Sequence, residues 1–136
     1  PIQKNNEDNK FIDKFEKESG EGISLENLKY FLKKKKINNI SLYKGNIAKT
    51  LDNFLKENKK IKISFLHIDV DVYEPTKIIL DKLYDRVEKK GIILFDDYSI
   101  IEGETRAVDE FFLNKKIKKN FKLIPNTKNP YFHVKN

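Results

Sequence analysis

Two pairs of aspartates, each placed directly after a hydrophobic run, are the residues of this sequence best suited to chemistry. The stretch ISFLHIDVDVYEPT ends its apolar run with Asp69 and Asp71, and the stretch GIILFDDYS does the same with Asp96 and Asp97. Carboxylate oxygens are hard ligands. In a chain with no cysteine and only two histidines, they favour Mg²⁺, Mn²⁺ or Ca²⁺ over zinc. The pattern therefore indicates a cation site, provided that the two pairs meet in the fold.

The elements around these acids predict that they do meet. Apolar runs at Ile63–Ile68 and at 92–95 have the length of buried strands, and a helix with Pro75 in its first turn separates them. Strands that alternate with helices predict a parallel α/β sheet, in which ligands bind at the carboxyl ends of the strands. Asp69 and the 96–97 pair follow two such ends, where their charges would repel unless a cation joined them. For one acid alone, capping of the next helix is the commoner use.

The rest of the chain predicts a single domain over residues 1–136 with about five strands. Apolar residues at helical spacing predict three further helices, one capped by Ser24, one around Leu51 and one from Gly103. A short strand is expected at Asn39–Asn46, and the helix after the first aspartate pair is expected to continue to Val87. The segments FKLIP and YFHVK predict an antiparallel strand pair at the end. Residues 1–22 are polar, and we expect a flexible segment with a weak helix there.

Composition excludes several classes of protein. The absence of cysteine rules out a disulfide framework and fits a reducing compartment, so a cytoplasmic location is expected. No apolar run approaches the roughly 20 residues of a membrane helix. The net charge is +7, but only Arg86 and Arg106 are arginine among 28 basic residues. Because bidentate phosphate recognition favours arginine, nucleic acid is not the expected partner.

One long stretch, FLHIDVDVYEPTKIILDKLYDRVEKKGIILFDDYSIIEGETRAVDEFF, resembles the second half of the macrocin O-methyltransferase (TylF) family. The shared elements are a strand ending in Asp-x-Asp-x-Tyr-Glu, a helix, a strand ending in Asp-Asp-Tyr, and the helix TRAVDEFF. The segment NISLYKGNIAKTL resembles the strand and loop of that family beside the adenine. The family consists of class I S-adenosylmethionine-dependent enzymes that methylate sugar hydroxyls. The resemblance therefore implies a Rossmann-like three-layer α/β sandwich and a small-molecule or glycan acceptor.

The resemblance also implies roles for particular residues. The metal ligands would be Asp69, Asp96 and Asp97, holding Mg²⁺ or another divalent cation that lowers the pKa of a sugar hydroxyl. Asp69 and Asp71 would be catalytic, with Asp71 or His67 accepting the proton. For His67, flanked by Leu66 and Ile68, a core or interface position is the expectation. Tyr73 and Tyr98 would either pack against a ligand or shield the strand ends. Three residues would lie near the S-adenosylmethionine adenine: Gly45, Asn46 and Ile47.

The sequence departs from the family pattern at its start. The family opens with a strand, a glycine-rich turn and a helix, whereas Gly20 and Gly22 follow no predicted strand. The chain is therefore expected to be the C-terminal part of the domain, with an exposed sheet edge that favours a homo-oligomer. Two alternatives stay open. One is a Mn²⁺-dependent nucleotide-sugar glycosyltransferase that uses Asp-x-Asp, and the other is a methyltransferase remnant without activity.

Overall fold

The computed structural model describes residues 6–19 and 22–136, which form a mixed α/β fold, as predicted. The helices are α1 (Asn6–Ser19), α2 (Leu25–Lys34), α3 (Ile47–Glu57), α4 (Tyr73–Leu83) and α5 (Glu102–Asn114). The strands are β1 (Ile63–Ile68), β2 (Val87–Phe95), β3 (Phe121–Leu123) and β4 (Tyr131–Val134). Within the described ranges, no helix is both long and apolar enough to cross a membrane.

The four strands form one sheet in the order β1-β2-β4-β3. Strands β1 and β2 are parallel and joined through α4, whereas β4 runs antiparallel to both β2 and β3. The predicted antiparallel pair at the end of the chain is therefore confirmed. Ile68 pairs with Phe95, so β1 and β2 end side by side. This register decides where the residues after each strand lie.

The hydrophobic core lies between one face of the sheet and the helices α3, α4 and α5. It is built from side chains of all these elements, among them Leu51, Ile68, Leu80, Ile93, Phe95, Val108 and Phe112. The opposite face of β1 and β2 is open, since Phe65 is 55% exposed and Ile92 36% exposed. The two faces follow from the alternation of side chains along each strand.

Three features predicted for the helices are confirmed. The Ser24 side chain accepts a hydrogen bond from the Asn27 N–H at 3.1 Å and caps α2. Pro75 lies in the first turn of α4, where its missing N–H costs nothing. The apolar stripe predicted for α5, including Phe111 and Phe112, is buried.

Two predictions about elements were wrong. Residues 39–46 are not a strand, because an extended segment needs a neighbouring strand to accept and donate its backbone hydrogen bonds. Helix α4 does not reach Val87 but ends at Leu83, followed by a 3₁₀ turn, and Val87 already belongs to β2. The Lys135 ammonium group donates to the carbonyls of Tyr84 and Val87, at 2.9 and 2.8 Å. These bonds stabilise the early end of the helix.

Candidate functional site

Four aspartates lie together where β1 and β2 end, and we call this group, Asp69, Asp71, Asp96 and Asp97, the acidic rim. The Asp96 N–H donates to the Ile68 carbonyl at 3.0 Å, which extends the parallel pairing by one residue. The acids that follow each strand therefore start from adjacent backbone positions. The structure thus brings both pairs to the carboxyl edge of the sheet, where open α/β folds bind ligands.

The acidic rim contains two overlapping groups of ligands able to hold a cation. Asp69, Asp71 and Asp97 form one group, and His67, Asp69 and Asp96 form the other. In each group one ligand atom per residue lies within 4.8 Å of the others. Asp69 belongs to both groups, whereas the predicted ligands Asp96 and Asp97 fall into different ones.

Asp71 and Asp97 are joined by a hydrogen bond between their carboxyl groups. Burial, this bond and the negative charges of Asp71, Asp96 and Asp69 raise the pKa of Asp97 to about 6, with burial the largest cause. Asp71 itself has a left-handed backbone with φ 61°, in a tight turn that aspartate tolerates better than most residues. Asp97 is therefore harder to ionise than an ordinary aspartate, and a cation bound beside it would favour its ionised form.

His67 does not lie in the core, and that prediction was wrong. Its side chain is 40% exposed, and its Nε2 atom is 2.9 Å from Asp96 Oδ1. The physical reason is alternation along β1. Because Ile68 faces the helices, His67 faces the open side of the sheet. The structure thus adds an imidazole to the acidic rim.

Glu104 is a residue of the site that the sequence did not reveal. It is fully buried in the first turn of α5, where its Oε1 accepts from the Asp97 N–H at 3.2 Å. Its own N–H donates to the Asp71 carbonyl at 3.1 Å, so one residue holds both acidic loops. Its Oε2 has no hydrogen-bond partner among the described residues. Burial, with the charges of the rim, raises the pKa of Glu104 to about 8, although the Asp97 N–H opposes the shift.

Tyrosines and the C-terminal hairpin brace the acidic rim from outside. The Tyr73 hydroxyl donates to Glu110 and the Tyr98 hydroxyl donates to Asp109, so both tyrosines join the strand ends to α5. From the β3–β4 connection, the Asn129 side-chain amide donates to the Asp96 carbonyl at 2.8 Å. The position of the rim therefore depends on α5 and on the hairpin.

A second concave region lies beside the start of α3. This apolar hollow of about 490 Å³ is lined by Ser41, Tyr43, Gly45, Ile47, Thr50, Leu51 and Phe54. Gly45 has φ +139°, and a Cβ there would lie 3.0 Å from Thr50 Cγ2, so glycine suits the position. Asn46 caps α3 by accepting from the Ala48 N–H at 3.0 Å. Of the predicted adenine neighbours, Gly45 and Ile47 therefore line the hollow and Asn46 supports it.

The sheet order and the carboxylates at adjacent strand ends define an α/β protein with a candidate ligand site at the sheet edge. The chain belongs to the macrocin O-methyltransferase (TylF) family, since the model of that family matches residues 4–133.

The fold is similar to two solved structures of CalS11, a TDP-rhamnose 3′-O-methyltransferase of calicheamicin biosynthesis. The TM-scores are 0.61 and 0.60, each with 26% identity over 67% of this chain. The chain covers 40% and 35% of the CalS11 chains in these two structures. No curated protein sequence gives a significant match.

Proposed function

We propose that this chain is the C-terminal part of an S-adenosylmethionine-dependent O-methyltransferase that acts on a sugar hydroxyl with the help of a divalent cation. The observation that carries the proposal is the convergence of Asp69, Asp71, Asp96 and Asp97 at one edge of the sheet, in a chain of the TylF family. A sugar acceptor is supported by CalS11, which by its name methylates TDP-rhamnose. The same family membership disfavours the glycosyltransferase alternative.

The donor set fits a hard divalent cation. Asp69, Asp71 and Asp97 offer oxygen ligands only, which is the preference of Mg²⁺ and Mn²⁺. A bound cation would lower the pKa of a sugar hydroxyl beside it. Asp96 would be the further oxygen ligand of the predicted set Asp69, Asp96 and Asp97.

The chain's own residues handle the proton. Asp71 is the proposed base, because its carboxyl group lies in the same ligand group as Asp69 and Asp97 and would be next to a hydroxyl bound at the cation. Glu104 fixes the backbone of both loops, so the two acids stay within reach of each other. Positioning of this kind supplies much of the acceleration when two reactants are held in line.

For the methyl donor, the proposed binding region is the hollow beside α3. Gly45 and Ile47 would contact the adenine, and Asn46 would keep the start of α3 in place. None of the described glycines lies in a turn between a strand and a helix that would grip the methionine end. We therefore expect this chain to bind the adenosine end of the cofactor, with weak affinity.

Calorimetric titration with S-adenosylhomocysteine, with and without Mg²⁺ or Mn²⁺, tests both parts of the proposal. We expect binding of the nucleoside and of the cation. Asp69→Asn should weaken cation binding at least tenfold, because Asp69 belongs to both ligand groups. Glu88→Gln is the matched control, since this half-exposed acid pairs with Lys62 at 3.0 Å outside the rim. Absence of binding with every cation and with the nucleoside would reject the proposal in favour of the inactive remnant.

A further inference from the structure

A groove of about 490 Å³ lies between α2 and the segment that follows it, and we call it the basic groove. Its lining combines three groove lysines, Lys29, Lys33 and Lys36, with apolar side chains that include Leu32 and the two groove isoleucines, Ile37 and Ile40. We propose that the basic groove docks on an anionic membrane surface, with its lysines at the lipid phosphates and its isoleucines among the outermost carbons of the acyl chains. The inference depends neither on methyl transfer nor on a cation.

The charge around the basic groove is strongly positive. Residues 22–46 contain six lysines and one glutamate, so they carry +5 of the chain's net charge of +7. Lysines elsewhere are paired with acids, as Lys62 is with Glu88 at 3.0 Å and Lys119 with Asp109 at 2.7 Å. Among the described residues, the three groove lysines form no ion pair. Their unbalanced charge complements an anionic surface.

Exposed apolar side chains accompany this charge. No residue of α2 is buried, and the groove isoleucines Ile37 and Ile40 are 43% and 50% exposed. Lysines at the end of a helix are ordinarily explained by the helix dipole, but that use requires no exposed isoleucine beside them. Several lysines next to exposed apolar residues are typical of segments that lie in the interface of an anionic membrane.

The combination favours a membrane over other anionic partners. A nucleic acid would meet the lysines, but it offers no hydrocarbon to the isoleucines, and residues 22–46 contain no arginine for bidentate phosphate recognition. An anionic membrane presents phosphates directly above hydrocarbon. Lysine stems can lie along the apolar layer while their ammonium groups stay at the phosphates. Both kinds of side chain in the basic groove therefore find a partner on one surface.

The test is co-sedimentation of the 136-residue chain with vesicles of phosphatidylcholine and phosphatidylglycerol in equal parts, and with vesicles of phosphatidylcholine alone. We expect binding to the anionic vesicles only, and weaker binding at higher salt because salt screens the charges. Replacing the three groove lysines together (Lys29→Gln, Lys33→Gln and Lys36→Gln) should weaken binding at least about tenfold, since each lysine near such a surface contributes about fivefold.

Two further variants separate the basic groove from net charge. The matched control removes three exposed lysines from another region, with Lys116→Gln, Lys118→Gln and Lys122→Gln, and should weaken binding by less than about threefold. The second variant, Ile37→Ser with Ile40→Ser, keeps every charge and should weaken binding about fivefold or more, because less apolar surface is buried. Circular dichroism should show all three variants folded, since the substituted positions are exposed.

Several outcomes would overturn the inference. Equal losses for the two lysine variants would assign the binding to net charge, and unchanged binding of the isoleucine variant would remove the apolar contact. Equal binding to neutral and anionic vesicles would remove the role of the lysines. A chain that ignores vesicles but forms a dimer that the isoleucine variant abolishes, as sedimentation velocity would show, assigns the basic groove to a second copy. All of these outcomes leave the calorimetric test of the proposed function untouched.

Discussion

Glu104 under the acidic rim and His133 on β4 are both buried ionisable groups, and they differ in what surrounds them. Glu104 lies among aspartates, and burial together with their charges raises its pKa to about 8. His133 lies among aromatic rings, those of Tyr84, Phe112 and Phe121. Burial alone lowers the pKa of His133. The comparison teaches that the rim accumulates negative charge, which suits a cation, whereas the histidine serves as a neutral ring in the core.

The largest effect is expected in the aromatic region. Phe112→Ala removes a fully buried ring that packs 4.9 Å from both His133 and Phe121. We expect the free energy of unfolding to fall by about 3–5 kcal/mol, measured by urea denaturation. The neighbouring Leu113 is 74% exposed, so Leu113→Ala should stay within about 0.5 kcal/mol of the parent. Equal losses for the two variants would contradict the assigned core.

Glu104→Gln tests the acidic side of the comparison. The folded pKa is raised above the ordinary value of 4.5 to about 8, so the folded state holds the extra proton between these values. Without added cation, the stability that Glu104 contributes should therefore be complete below pH 4.5 and be lost as pH rises towards 8, by a few kcal/mol. The variant cannot ionise there and should lose this dependence. Melting curves between pH 4.5 and 8.5 measure it.

The matched control for that prediction is Glu102→Gln, an exposed glutamate in the same turn of α5. It should keep the parent's pH dependence, because its charge is solvated in both states. If Glu104→Gln and the parent chain lose stability equally with rising pH, the buried carboxyl is not the cause.

The smallest effect is expected from His133→Leu. The pH dependence that this variant removes has the opposite sign to that of Glu104. Since burial lowers the folded pKa of His133 below 6.5, the stability from the neutral ring is complete above pH 6.5 and is lost as pH falls. The slope is at most about 1.4 kcal/mol per pH unit. Between pH 7.5 and pH 5, the free energy of unfolding should fall less for the variant than for the parent, as followed by circular dichroism. The same change in stability between pH 5 and pH 7.5 for the parent and for His133→Leu would refute the assignment.

The sequence predicted the acidic rim but not its full membership. Aspartates directly after two apolar runs show where strands end, and parallel pairing then brings them together. Glu104 was missed although a signal existed, because its spacing to Ala107, Val108 and Phe111 places it on the buried stripe of α5. His67 was misplaced because alternation assigns it to the face opposite Ile68, and the sequence does not tell which face is open. The strand at 39–46 failed because pairing depends on a neighbour distant in the sequence.

The hydrogen bond from Asn129 to the Asp96 carbonyl has a consequence for the end of the chain. It ties the segment of residues 121–136 to the acidic rim, although none of the side chains in this segment carries a carboxylate. Shortening the chain before β3 would release the backbone of Asp96 as well as uncover Phe112. Because β4 is an inner strand of the sheet, loss of this segment would destabilise the fold and release the backbone of Asp96 together.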